Sequence, residues 1–273
     1  MVKKLFKHEF LAYARVMSIV YIILLTIAAA TRVIFLFKND STPYEIISTF
    51  SILTYAVSVF AACAFSFVMA LVRFYKNLFS AEGYLSFTLP VTASQHIIVK
   101  AVTAVCVDLI TLVVVLISVM IVTAGEVFSQ FWDGLSFSFA KIYELIGAHT
   151  MLFSAEYLLL LIVALFVSTM LYYTCISIGQ LSRKNRILAA VGAYFGFYIL
   201  SQIVTTAFLI SFMLTAAGGY LDGLARWLAQ QLSDHPLASI HIGIWIGILL
   251  ESAFLLLEFV IVKKIITKKL NLE

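Results

Sequence analysis

Charge is scarce in this chain. Asp, Glu, Lys and Arg make up 12% of its 273 residues, against a hydrophobic share of 63%. With a mean hydropathy of +1.07, a soluble fold of this length has too little interior to cover the apolar side chains. Cysteine is scarce too. Cys63, Cys106 and Cys175 all fall inside apolar runs. They form no CxxC pair and no His-rich metal spacing, so they read as small buried hydrophobes, not as a disulfide or metal framework.

Motifs of chemistry are missing as well. The sequence has no GxxxxGK[ST] loop to cradle nucleotide phosphates and no GxGxxG between a strand and a helix. HExxH, GxSxG and CxxCH are absent. The histidines, His8, His96, His149, His235 and His241, include no i, i+4 pair, so the sequence offers no metal or haem spacing. The chain is expected not to be an enzyme and to carry no cofactor of its own.

What it has in abundance is long apolar runs. Six reach the length that spans a bilayer as a helix, at about 18–37, 47–71, 95–122, 151–178, 187–216 and 240–262. The N-terminal stretch MVKKLFKHEFLAYARV is basic, but no small-residue cleavage site closes the run after it. It reads as a retained first span, not a removed signal. The basic residues choose the orientation. Lys3, Lys4, Lys7 and Arg15, then Arg73, Lys76 and Lys100, then Arg183, Lys184 and Arg186, then Lys263, Lys264, Lys268 and Lys269 all lie on one side, 14 of the 18. By the positive-inside rule both termini are cytoplasmic, with inner loops at about 72–94 and 179–186. The lysines of the KKIITKK tail read as an anchor for the last span, not as a nucleic-acid patch.

The outer segments carry aromatic and apolar stripes. Residues 126–146 mix Phe, Trp and Tyr with acidic groups, and residues 220–232 place Leu221, Leu224, Leu228 and Leu232 at helical spacing beside Trp227. Both suit short helices in the outer interface. Four carboxyl groups fall within the spans: Asp108, Glu156, Glu251 and Glu258. An unpaired carboxylate in hydrocarbon costs roughly 3 kcal/mol or more, so each must face protein or a wet cavity. Asp108 and Glu251 are the candidates for an intramembrane polar or translocation role. Lys100 and Asp108 share a helix face two turns apart, beyond direct pairing.

The stretch FYKNLFSAEGYLSFTLP, residues 74–90, interrupts the apolar pattern on the cytoplasmic side. As a helix it gathers Phe74, Leu78, Ala81 and Leu85 on one face. Pro90 stops such a helix, and Thr92 with Gln95 has capping-box spacing for the third span. The spacing predicts an interfacial element between spans two and three.

This run, with Glu82-Gly83-Tyr84-Leu85, Phe87-Thr88-Leu89-Pro90 and Lys100, resembles the first inner loop of bacterial ABC-2-type ABC transporter permeases of the Gram-positive group. Residues 175–195, with Gly179-Gln180-Leu181 before a basic cluster, resemble their second inner loop. The resemblance implies an all-α integral membrane protein of six transmembrane helices with short interfacial helices, in a bacterial cell membrane. It implies a permease that works with a second permease chain and a separate ATPase subunit, on which ATP-Mg binds. It assigns ATPase coupling to Tyr75, Leu78, Phe79, Glu82, Gly83, Tyr84 and Leu85. Arg183, Lys184 and Arg186 are candidates for a second inner contact. The outer segments lack a large capture domain, which favours an exporter. An ATP-independent secondary transporter or channel, and a sensory or assembly protein that moves nothing, stay open on the sequence.

Overall fold

A computed structural model describes residues 2–37, 41–80, 83, 90–147, 149–182, 184–218, 223, 230, 234 and 236–268. Among them every element is helical: α1 (Val2–Leu36), α2 (Thr42–Phe79), α3 (Ala93–Thr123), α4 (Glu126–Ile146), α5 (His149–Gly179), α6 (Arg186–Gly218) and α7 (Pro236–Lys268). Six of the seven, all but α4, are long and apolar enough to cross a membrane. This is an all-α, multi-span membrane protein.

The helices outrun the hydrocarbon. α1 has 35 residues, about 52 Å at 1.5 Å per residue, against a core of about 30 Å. The basic N-terminal residues are thus part of the first span's own helix and not a loop before it. α2 likewise runs for 38 residues and includes positions 74–79. The interfacial element expected over 74–89 therefore begins as the last turns of a spanning helix. The expected cap on α3 is present: Thr92 Oγ1 accepts from the Gln95 amide, and the Gln95 side chain accepts from the Thr92 amide.

The described residues divide into two compact units, one within 1–141 and one from 142 onward. In the first, α1 packs on both α3 and α2, and α2 packs on α3. Tyr13, Met17 and Val107 form its buried cluster, joined by Phe10, Tyr21 and Met69. In the second, α5 packs along α7 and against α6. Phe153, Ile244 and Ile248 are its buried cluster, extended by Ile146, Leu160, Val163 and Leu237. At most 28% of any span's most apolar window is buried inside the protein, so the greasy surface points outward, where lipid satisfies it. Cysteine follows this pattern. Cys175 is buried and Cys106 partly so, but Cys63 faces outward, because in a lipid-facing helix an apolar run does not imply burial.

α4 joins the third and fourth spans between two glycines with positive φ, Gly125 (103°) and Gly147 (56°), a conformation that favours glycine. The segment 126–146 is thus one helix of 21 residues, exposed along most of its length. The leucine stripe at 221, 224, 228 and 232, with Trp227, lies outside the described residues.

Candidate functional site

Glu9 organises the first unit. It is the only acidic residue among the first 39, and α1 turns it toward two cations from two other helices. Lys100 Nζ on α3 donates to Glu9 Oε1 at 3.0 Å, and Arg73 Nε on α2 donates to the same oxygen at 3.2 Å. Asn77, one turn beyond Arg73, donates from Nδ2 to Oε2 at 3.3 Å. Tyr13, one turn beyond Glu9, lies under the guanidinium, with Arg73 Cζ 4.8 Å from its ring centroid. The side chains of Lys100 and Glu9 are 6% and 9% exposed and that of Arg73 20%. Charges so shielded persist only when paired and hydrogen-bonded. A carboxylate that accepts from three donors is poorly placed to act as a base or nucleophile. Its chemistry is that of a clasp holding three helices in register.

The clasp sits at the root of the 74–90 segment. Phe74, Leu78 and Phe79 are buried, Leu78 completely, so their side chains serve the chain's own packing and are not presented to a partner. Tyr75 and Lys76 are exposed. Gly83 is buried, and its amide donates to the Ser80 carbonyl at 2.8 Å. Glu82, Tyr84 and Leu85 lie outside the described residues. Glu9 carries no sequence signal beyond being a lone acid in a basic segment, and its partners lie 64–91 residues away.

Deeper in this unit the polar groups pair across helix seams. Asp108 on α3 accepts from Ser66 Oγ on α2 at 2.6 Å. Tyr21 on α1 and Thr111 on α3 share a hydrogen bond of 2.7 Å, and Tyr55 and Ser118 one of 2.9 Å. Asp108 and Lys100 thus serve different partners.

In the second unit, Glu156 on α5 binds two groups of α7: His241 Nδ1 donates to Oε2 at 2.7 Å and Trp245 Nε1 donates to Oε1 at 3.0 Å. Glu251 is half-buried. Glu258, two turns further along α7, is buried, and its Oε2 has no hydrogen-bond partner among the described residues. Lys184 and Arg186 are exposed, and Arg183 lies outside the described residues. The α5–α6 turn depends on Gly179. A Cβ there would lie 2.6 Å from the Arg186 carbonyl oxygen and 2.7 Å from Ala190 Cβ, so only glycine admits the close approach. Among the described residues no three His, Cys, Asp or Glu converge as a metal-ligand set. No protein-family model, curated protein or solved structure matches the chain.

Proposed function

We propose that the chain is the membrane-spanning permease subunit of an ATP-driven transporter of the ABC-2 type. In this reading it exports a hydrophobic or amphipathic compound and takes its power stroke from a separate ATPase through the 74–89 segment. The observation that supports this most is the Glu9 clasp. The segment leaves α2 just after Arg73 and Asn77 and enters α3 just before Lys100, and all three are tied to Glu9 on α1. A displacement applied to the segment is thereby delivered to three spanning helices at once, as a rigid-body transition requires. The capping box at Thr92 stiffens the entry into α3.

The same geometry narrows the contact. Tyr75 and Lys76 are the exposed side chains of α2's last turns and join Glu82, Tyr84 and Leu85 as the groups offered to the ATPase, with Leu78 and Phe79 supporting from inside. The test is co-expression with a candidate ABC-type ATPase subunit from the same genome. Tyr75→Glu with Lys76→Glu is expected to leave a folded permease that no longer stimulates ATP hydrolysis, whereas Leu78→Asp is expected to lose the fold itself. Unchanged assembly and stimulation in the Tyr75/Lys76 variant and in Tyr84→Glu with Leu85→Glu would remove the coupling assignment.

A further inference from the structure

The polar cluster of the second unit has a use that coupling does not require. His149 is the first residue of α5 and is exposed, while His241 is half-buried on α7. His149 Nδ1 and His241 Nε2 face each other at 3.1 Å. Two imidazoles on one tetrahedral first-row metal, each bonded at about 2.0–2.1 Å, stand about 3.3 Å apart nitrogen to nitrogen. The pair needs to open by only a few tenths of an ångström to admit an ion.

The surroundings of His241 favour that use. Its Nδ1 donates to Glu156 Oε2, which puts the proton on Nδ1 and leaves the Nε2 lone pair aimed at His149. The Trp245 indole holds the other oxygen of Glu156. The Phe153 ring lies flat on His241, centroids 4.0 Å apart and planes 5° apart. A hydrogen bond between two histidines needs none of this. A carboxylate on the far nitrogen and a fixed ring plane are how metal-binding histidines are oriented and made more basic. His149 has only to carry its own proton on Nε2, a tautomer exchange that releases no net proton.

We propose that His149 and His241 bind a transition-metal ion, with Glu156 as the positioning residue for His241. Imidazole nitrogen selects Zn²⁺, Ni²⁺ or Cu²⁺ over the oxygen-seeking Ca²⁺ and Mg²⁺. No third His, Cys, Asp or Glu converges among the described residues, so water fills the remaining positions on the exposed His149 side. The ion pins the first turn of α5 to α7 at the end that the charge distribution assigns to the outer face.

The test uses the full chain, purified in detergent without a histidine tag and titrated calorimetrically with Ni²⁺ and then Zn²⁺. One ion per chain is expected. His149→Ala, at an exposed helix start, is expected to abolish saturable binding while leaving the gel-filtration profile unchanged. His241→Ala is expected to do the same to binding. Glu156→Gln is expected to weaken affinity by about 10–100-fold at unchanged stoichiometry, and His8→Ala to change nothing. In the Cu²⁺-loaded protein, electron paramagnetic resonance should show two imidazole nitrogens, a signal absent from His149→Ala. Absence of saturable binding at millimolar metal, undiminished binding in His149→Ala, full affinity in Glu156→Gln, or equal binding of Ca²⁺ would each overturn the proposal.

Discussion

Replacing Glu9 with glutamine isolates the clasp at almost constant volume. The substitution removes the carboxylate from a buried lysine whose Nζ stands 3.0 Å away and from an arginine at 3.2 Å. Taking one partner from a buried ion pair costs about 3–5 kcal/mol, because the opposite charge stays desolvated. Lys100→Met is expected to cost less, about 1.5–3 kcal/mol, since Glu9 keeps Arg73 and Asn77 and loses one charged hydrogen bond. The asymmetry is the signature of one anion serving two cations. In the double variant the lysine charge that Glu9→Gln would strand is already gone, so the two costs should fall short of their sum by about 2 kcal/mol, within the usual range for contacting pairs. Reversible unfolding of the detergent-solubilised chain by titrated SDS measures all four corners of the cycle. Additivity to within about 0.5 kcal/mol, or a Lys100→Met cost equal to that of Glu9→Gln, refutes the clasp. A further variant separates holding the fold from transmitting motion. Glu9→Leu with Arg73→Met and Lys100→Met replaces the charges by apolar bulk, which often restores stability. If the clasp transmits the stroke of an ATPase, this chain folds and assembles but no longer stimulates ATP hydrolysis.

Gly179→Ala forces a methyl group to within 2.6 Å of a backbone carbonyl. It should cost about 1–3 kcal/mol as an overpacking change, read from the same SDS titration. Gly192→Ala, with nothing within 4 Å of the added carbon, should be close to neutral. Thr92→Ala removes the side-chain acceptor of the α3 cap and should cost about 1 kcal/mol, seen as faster amide hydrogen exchange over the first turn of α3. Ser66→Ala takes the donor from the Asp108 carboxyl and should destabilise by about 1–3 kcal/mol. Asp108→Asn retains an acceptor for Ser66 and should cost less; the reverse order would show that the charge of Asp108, and not its hydrogen bond, is what the seam needs.

The six spans were legible because hydropathy over some 20 residues is a bulk property of the membrane and needs no knowledge of tertiary partners. Thr92 and Gln95 were legible for the opposite reason: a capping box closes within four residues, so sequence spacing is the geometry. Helix extent was not. Hydropathy marks only the stretch inside hydrocarbon, and the first apolar run begins near residue 18, whereas α1 begins at Val2. Helical hydrogen bonds continue into the headgroup region wherever nothing breaks them, and the N-terminal segment holds neither Gly nor Pro. The same continuation moved Leu78 and Phe79 from the expected partner-facing surface into the core of the first unit. An amphipathic pattern tells which side chains share a face, but not whether that face meets its own chain or another. Glu9 and the Glu156–His241 pair were hidden because their contacts join positions 64–91 residues apart. A charge-sorting rule reads Glu9 as one anion among cations on the basic side, where it contributes little to orientation. Its burial against Lys100 follows only once α1 is known to extend beyond the apolar run, because that extension carries Glu9 up to the level of Arg73 and Lys100. The basic residues that a charge-sorting rule counts at the ends of spans two and three are therefore the same ones that a single buried carboxylate recruits for packing.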